Sequence, residues 1–179
     1  FEWPEGALQG PPERVELGVR LGAGNLRRAQ AAARGELDEA RGAVEALLRA
    51  ALAGDDGAYW RLTEQLGARD ARGELELMLQ LCGLYLRDLF LGAGRGAART
   101  MDDRGEVLEQ LAAYLTSEQV EAAAVELDRA DEMLSRNVPA NLALVGLWRC
   151  LRGGAMSPGP GPAPGGAGGR GARPRAAAS

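Results

Sequence analysis

Histidine, lysine and isoleucine are absent from this 179-residue chain, and aromatic residues make up only 4 % of it. Without histidine there can be no Ser-His-Asp triad, no Cys-His pair and no histidine-bearing metal site. Without lysine there can be no Schiff base and no lysine of a phosphate-binding loop. These absences exclude several common catalytic chemistries, and we expect no cofactor.

Cysteine is also scarce, since the chain has only Cys82 and Cys150, each within an apolar run. Two cysteines cannot form a structural zinc site on their own, and they do not indicate a disulfide framework. The sequence therefore predicts buried, reduced thiols, no metal site and a cytoplasmic location. Neither a signal peptide nor an uncharged run of 18 apolar residues is visible, so no contact with a membrane is expected.

The composition changes sharply at Gly153. Residues 153–179 are rich in Gly, Pro and Ala and lack hydrophobic periodicity, so they are predicted to be disordered. This tail holds three of the 21 arginines and none of the 25 acids, which leaves a net charge of about −7 on 1–152 and +3 on the tail. We interpret it as a solvated segment; the alternative is a weak contact with an anionic partner.

Residues 1–152 are predicted to be helical almost throughout, because apolar residues recur at helical spacing and nowhere alternate over a strand's length. The expected helices cover about 12–22, 26–34, 36–53, a stretch after Asp55, 74–91, a stretch around Leu108 and Leu111, a long helix after Thr116, and a last helix that follows the break at Asn137-Val138-Pro139. The predicted fold is all-α, an irregular bundle of about seven or eight helices with short connections.

Specific residues indicate where these helices begin and end. Asn25 and Asp55 are typical N-caps, and Gly54 is a typical C-terminal residue. Thr116 and Gln119 have the spacing of a capping box. The segment 74–91 is apolar almost all round, which predicts a central core helix, and we expect Tyr85 and Trp148 to lie in the core with it.

Motifs that could carry chemistry have simpler interpretations. The glycine pattern GAGRGA (92–97) follows a predicted helix where a dinucleotide fingerprint needs a strand, so we interpret it as a loop. Acidic clusters on amphipathic helices are usually solvated faces. Three such clusters occur, at Glu74/Glu76, Asp102/Asp103 and Asp128/Asp131/Glu132. The sequence nominates no nucleophile–base pair and no basic stripe for nucleic acid. An enzyme using paired carboxylates from 121–132 and an unrelated helical scaffold remain as alternatives.

Two stretches carry more specific motifs. The first is RVELGVRLGAGNLRRAQ (14–30), and the second extends from RGELELMLQLCGLYLRDLFL (72–91) to DEMLSRNVPANLALVGLWRCL (131–151). Together they resemble the C-terminal part of the delta-prime subunit family of the bacterial DNA polymerase III clamp loader. The family motifs G-S-L-x-R-A, R-D-L and R-N-V-N-P-x-L-A-L correspond to Gly24–Ala29, Arg87–Leu89 and Arg136–Leu144. The chain departs from them at Asn25, at Pro139, which comes one place early, and at Val145-Gly146.

The resemblance implies three regions: the end of an AAA+ lid at 1–34, a helical collar domain at 35–152, and the tail at 153–179. It implies a non-catalytic assembly domain in a hetero-pentamer with delta and gamma/tau subunits, which meets the sliding clamp and primed DNA only through the whole complex. ATP-driven clamp loading would lie elsewhere in that complex, and an ATPase module of about 200 residues is expected upstream. The gamma/tau subunit shares the lid motif and remains an alternative.

The resemblance also implies roles for single residues. Arg27 matches the position of a sensor arginine that faces nucleotide phosphates. Because the delta-prime subunit is commonly a poor or non-hydrolysing member of the family, we favour a role for Arg27 at the lid surface only. Arg136, Asn137, Pro139 and Leu142 belong to the closing signature between the last two helices. From the residue types, we expect the Asn137 side chain to satisfy free backbone groups at a helix end and Pro139 to lie in the first turn of the final helix.

Overall fold

The computed structural model describes residues 8–66, 72–92 and 100–153, and these residues fold into helices joined by turns. The helices are α1 (Pro12–Gly22), α2 (Leu26–Ala33), α3 (Asp38–Ala53), α4 (Asp56–Leu66), α5 (Arg72–Gly92), α6 (Gly105–Ala112), α7 (Ser117–Ser135), α8 (Ala140–Ala143) and α9 (Val145–Gly153), with a 3-10 turn at Asp102–Arg104. The predicted all-α fold class is confirmed. The tail beyond 153 and most of the 92–97 loop lie outside the described residues.

Local side-chain hydrogen bonds explain where the helices begin. The Oδ1 atoms of Asn25 and Asp55 accept from backbone N–H groups three residues on, at 3.1 and 3.0 Å. The predicted capping box is complete: Gln119 N donates to Thr116 Oγ1, and Thr116 N donates to Gln119 Oε1. At the end of α3, Gly54 adopts φ +70°, a conformation that glycine reaches without steric cost.

The last predicted helix is in fact two helices. α8 ends at Ala143 and α9 begins at Val145, although Trp148 N still donates to Leu144 O at 3.0 Å across the break. The two pieces have different neighbours, because α8 packs against α4 and α7 whereas α9 lies between α3 and α7. At Gly146, α9 faces the Glu126 side chain of α7, whose carboxylate would have to move if a Cβ were present.

Helix α5 is the centre of the core, as its apolar circumference predicts. It packs against α3, α6 and α7, and Leu81, Cys82 and Tyr85 are completely buried. Burial raises the pKa of the Cys82 thiol to about 12, so this thiol stays protonated and unreactive at neutral pH. Trp148 is also buried, which confirms the prediction that both it and Tyr85 belong to the core.

Helices α1 and α2 form a tightly packed hairpin. A Cβ on Gly18 would lie 2.6 Å from Ala29 O, and one on Gly22 would lie 2.7 Å from Ala29 Cβ. The two glycines are four residues apart, as are Ala29 and Ala33, so small residues line both sides of the contact. The absence of side chains larger than methyl lets the two backbones meet directly.

The hairpin shares its core with the remaining helices, because Leu17, Leu21 and Ala32 belong to the same continuous cluster of buried residues. Polar contacts at its edges add to this packing. Arg14 pairs with Asp38 of α3 at 2.8 Å, and Arg20 reaches Asp102 at 3.8 Å. The boundary near residue 34 implied by the resemblance falls in the turn between α2 and α3.

Candidate functional site

In the lid-like motif, neighbouring arginines have different environments. Arg27 is exposed in the first turn of α2, and its nucleotide-facing role stays a prediction. Arg28 connects two parts of the fold: its Nη2 donates to Gly22 O at 2.9 Å, and its Nη1 donates to Gln80 Oε1 of α5 at 2.8 Å. The second arginine of the motif therefore fixes the hairpin turn and ties it to the central helix.

The R-D-L motif at the end of α5 contacts the described residues that precede the 3-10 turn. The Asp88 side chain is fully buried, and its Oδ2 accepts from the backbone N–H of Met101 at 2.7 Å. Arg87 Nη1 donates to Asp88 Oδ1 at 3.2 Å and to Thr100 Oγ1 at 2.7 Å. The two donors satisfy the buried Asp88 side chain, so this motif acts as an anchor for the segment that leads into α6.

The closing signature forms a Schellman turn at the end of α7. Asn137 has φ +60°, its N–H donates to Leu134 O at 2.9 Å, and the N–H of Val138 donates to Met133 O at 3.0 Å. Backbone groups thus satisfy the helix end, a task that we expected of the Asn137 side chain. That side chain instead accepts from Arg72 Nη1 of α5 at 2.8 Å.

The other members of the signature lie on either side of this turn. Arg136 is the exposed C-cap residue of α7, 3.9 Å from Glu132. Pro139 is the N-cap residue of α8, one position before the first turn in which we expected it. Leu142 points to solvent with 54 % of its surface exposed. The signature therefore sets the path from α7 to α8 and leaves one leucine uncovered.

The backbone conformation at Asn137 gives a testable prediction. Asn137→Ala loses the Arg72 contact and keeps a β-carbon in the left-handed region, a conformation that alanine tolerates less well than asparagine. Asn137→Gly also loses the contact, but it removes the β-carbon and with it the steric cost. We expect the alanine variant to be less stable than the glycine variant by about 1 kcal/mol in urea unfolding. Equal stability of the two variants would contradict the left-handed turn.

Beneath the 3-10 turn lies a partly buried ionic cluster, which we call the ionic junction: Arg41, Glu45 and Tyr85 are buried, whereas Asp103 and Arg104 remain partly exposed. Arg41 is 1 % exposed, and its Nη2 donates to Asp103 Oδ1 at 2.6 Å. The Tyr85 hydroxyl donates to Glu45 Oε1 at 2.5 Å, and Arg104 Nε lies 3.4 Å from the same carboxylate oxygen. The junction joins α3, α5 and the 3-10 turn, and its two cations balance its two anions.

The ionic junction shifts the pKa values of its own members. Burial lowers the pKa of Arg41, but the hydrogen bond and charge of Asp103 more than offset this, so the net pKa is raised. Burial, followed by the hydrogen bond to Glu45, raises the pKa of Tyr85 well above its usual value. Both groups therefore keep their ordinary neutral-pH states, which is typical of a structural ion pair.

Sequence reasoning did not find the ionic junction, although a signal was present. Arg41 lies four residues after Leu37 and three before Val44, and Glu45 is three before Leu48. These charged residues share the spacing of the apolar stripe of α3, and all five are buried. A charge within such a stripe indicates a paired buried residue.

The acidic residues proposed for an alternative enzyme have another arrangement. Asp128, Asp131 and Glu132 are exposed along α7. Within 8–66, 72–92 and 100–153, no group of three or more His, Cys, Asp or Glu side chains is placed to hold a metal ion. Across the same ranges, no helix has both the length and the apolar character that crossing a bilayer requires.

An apolar hollow lies between α3 and α6 and has a volume of about 440 Å³. Leu52, Leu111 and Tyr114 line it, and a hydrogen bond from Arg49 to Gln110, 3.3 Å long, crosses between the helices. Its lining contains no carboxylate and no thiol. The hollow therefore offers apolar contact but no reactive group.

Comparisons with known proteins add no identification: no protein-family model, curated protein or solved structure matches the chain.

Proposed function

We propose that this chain is a non-catalytic assembly domain, the collar of a clamp-loader delta-prime subunit with the end of its lid attached. Its function would be to hold sister subunits, delta and gamma/tau, in a ring whose ATPase modules place the sliding clamp on primed DNA. On this proposal the protein acts in the cytoplasm and needs no cofactor of its own.

One observation carries the proposal: the residues quoted for the resemblance hold helices in position. Asn25 and Arg28 fix the hairpin, Asp88 anchors the segment that leads into α6, and Asn137 sets the exit from α7. A domain that positions neighbouring subunits needs fixed angles between its own helices, because variable angles would change the relative positions of the subunits in the ring. These contacts suit that requirement better than they suit catalysis.

The proposal is tested by binding to the sister subunits. The tagged chain, shown to be folded by far-UV circular dichroism, is mixed with purified delta and gamma/tau subunits and recovered on the tag. We expect both subunits to be retained. The matched control is Leu81→Asp, which places a charge at a fully buried core position and should abolish both folding and binding.

Two outcomes separate the alternatives. If the folded chain competes with purified delta-prime for the other subunits, the delta-prime assignment is supported, and competition with gamma/tau alone supports that alternative. If the folded chain retains neither subunit at micromolar concentrations, the assembly proposal is wrong.

A further inference from the structure

We propose that the surface formed by α4, α8 and α9 is a two-fold docking site for a second copy of this chain. We call it the α4–α9 patch and define it by Trp60, Glu64, Leu142, Val145 and Arg149. This inference does not depend on the proposed function, which concerns different subunits.

The centre of the patch is apolar and exposed. Trp60, Leu142 and Val145 have 60 %, 54 % and 40 % of their surface accessible to solvent. Single exposed apolar residues are normal, but a group of large ones is typical of an interaction surface. Tryptophan in particular is enriched at the centres of protein interfaces.

Contacts of Tyr59 bring the chain next to Trp60 and the chain next to Leu142 together. Its ring lies 5.4 Å from that of Trp60, and its hydroxyl donates to the carbonyl oxygen of Asn141, the residue before Leu142. Val145 follows Leu142 by three residues, one turn along. Trp60 of α4 and Leu142 of α8 therefore each follow directly after one partner of the hydrogen bond between Tyr59 and Asn141.

The charged ends of the patch have opposite signs. Asp56, at the start of α4, contacts Trp148 and Arg152 near the end of α9, whereas Tyr59 reaches back to Asn141. The segment from α8 to α9 therefore passes along α4 in the opposite chain direction. Glu64 lies eight residues beyond Asp56, about 12 Å along the helix. Arg149 directly follows Trp148, which contacts Asp56 in the first turn of α4.

Neither terminal charge is neutralised locally. Glu64 and Arg149 are exposed, and neither forms an ion pair within the part of the chain that the structure describes. Glu64 follows Trp60 by four residues and Arg149 follows Val145 by four, so each charge continues the face of its apolar neighbour.

This arrangement is self-complementary. A two-fold axis through an apolar centre brings the negative end of one copy onto the positive end of the other, and does so twice. Trp60, Leu142 and Val145 would then meet their equivalents at the centre, and each Glu64 would face Arg149 of the other copy. A second copy of the chain supplies both the apolar surface and the two opposite charges that the patch requires.

The test is a charge-swap cycle followed by sedimentation velocity from about 10 µM to about 1 mM, the range of a weak interface. We expect the mass to rise from 18.8 kDa toward twice that value. Glu64→Arg and Arg149→Glu alone should each weaken association about tenfold or more, because like charges then face each other. An equimolar mixture of the two variants should recover association, as should the double variant alone.

Separate controls test whether the variants are folded and whether the effect on association is specific to the α4–α9 patch. Both substitutions are at exposed sites, and circular dichroism and the urea midpoint should match the wild type. Glu13→Arg, an equally exposed change on α1, should leave association unchanged. Three results would each overturn the inference. The wild-type mass could stay at the monomer value at every concentration, the single variants could associate as strongly as the wild type, or the equimolar mixture could fail to recover association. Binding of sister subunits through this patch by a strictly monomeric chain would also overturn it.

Discussion

Arg41→Ala is expected to lower the free energy of unfolding by about 3 kcal/mol. The side chain is 1 % exposed, so its removal leaves a cavity next to Tyr85 in the centre of the fold. It also removes the 2.6 Å hydrogen bond to Asp103, which joins α3 to the 3-10 turn. Urea unfolding monitored by circular dichroism measures the change directly.

Arg41→Met separates the two contributions. Methionine fills most of the volume but makes no ion pair, and Asp103 keeps 37 % of its side chain exposed to water. We therefore expect a smaller loss of about 1 kcal/mol. The matched control is Arg27→Ala, at an exposed arginine, which should change stability by less than about 0.5 kcal/mol. If Arg41→Ala costs no more than this control, the ionic junction does not stabilise the fold.

The second large effect is expected at Gly18, where alanine should cost about 2 kcal/mol of stability. A methyl group there would lie 2.6 Å from Ala29 O and 3.2 Å from Ala33 Cβ. The first neighbour is backbone, which cannot rotate away, so the two helices of the hairpin must separate.

Gly42 provides the control for this change. It lies within α3, and a Cβ there would meet no heavy atom within 4 Å. Gly42→Ala should therefore stabilise the protein by about 0.5–1 kcal/mol, because alanine lowers the conformational entropy of the unfolded chain. The same substitution is thus expected to have opposite signs at two helical glycines. A neutral or stabilising Gly18→Ala would contradict the close approach of α1 and α2.

Much of the fold follows from local signals in the sequence. Asn25, Asp55 and Thr116 each cap the helix that they were expected to cap, because a cap depends on only three or four neighbouring residues. The apolar surface of α5 correctly predicted its central position, since a helix without a polar face must be surrounded.

Features that depend on contacts between residues far apart in the sequence were not predicted from local patterns. Asn137 is bonded to Arg72, 65 positions away, and the spacing within the signature gives no sign of that partner. Asp103 was interpreted as part of a solvated acidic cluster, yet it pairs with buried Arg41. The break at Leu144 has a similar origin, because α8 and α9 follow different neighbours. Tertiary contacts decided each of these outcomes.

The assembly proposal is tested most directly by native mass spectrometry of the chain mixed with delta and gamma/tau subunits. We expect a complex in which one copy of the 18.8 kDa chain is bound to its sister subunits. If the folded chain is never found bound to either subunit at any mixing ratio, the assembly proposal is wrong.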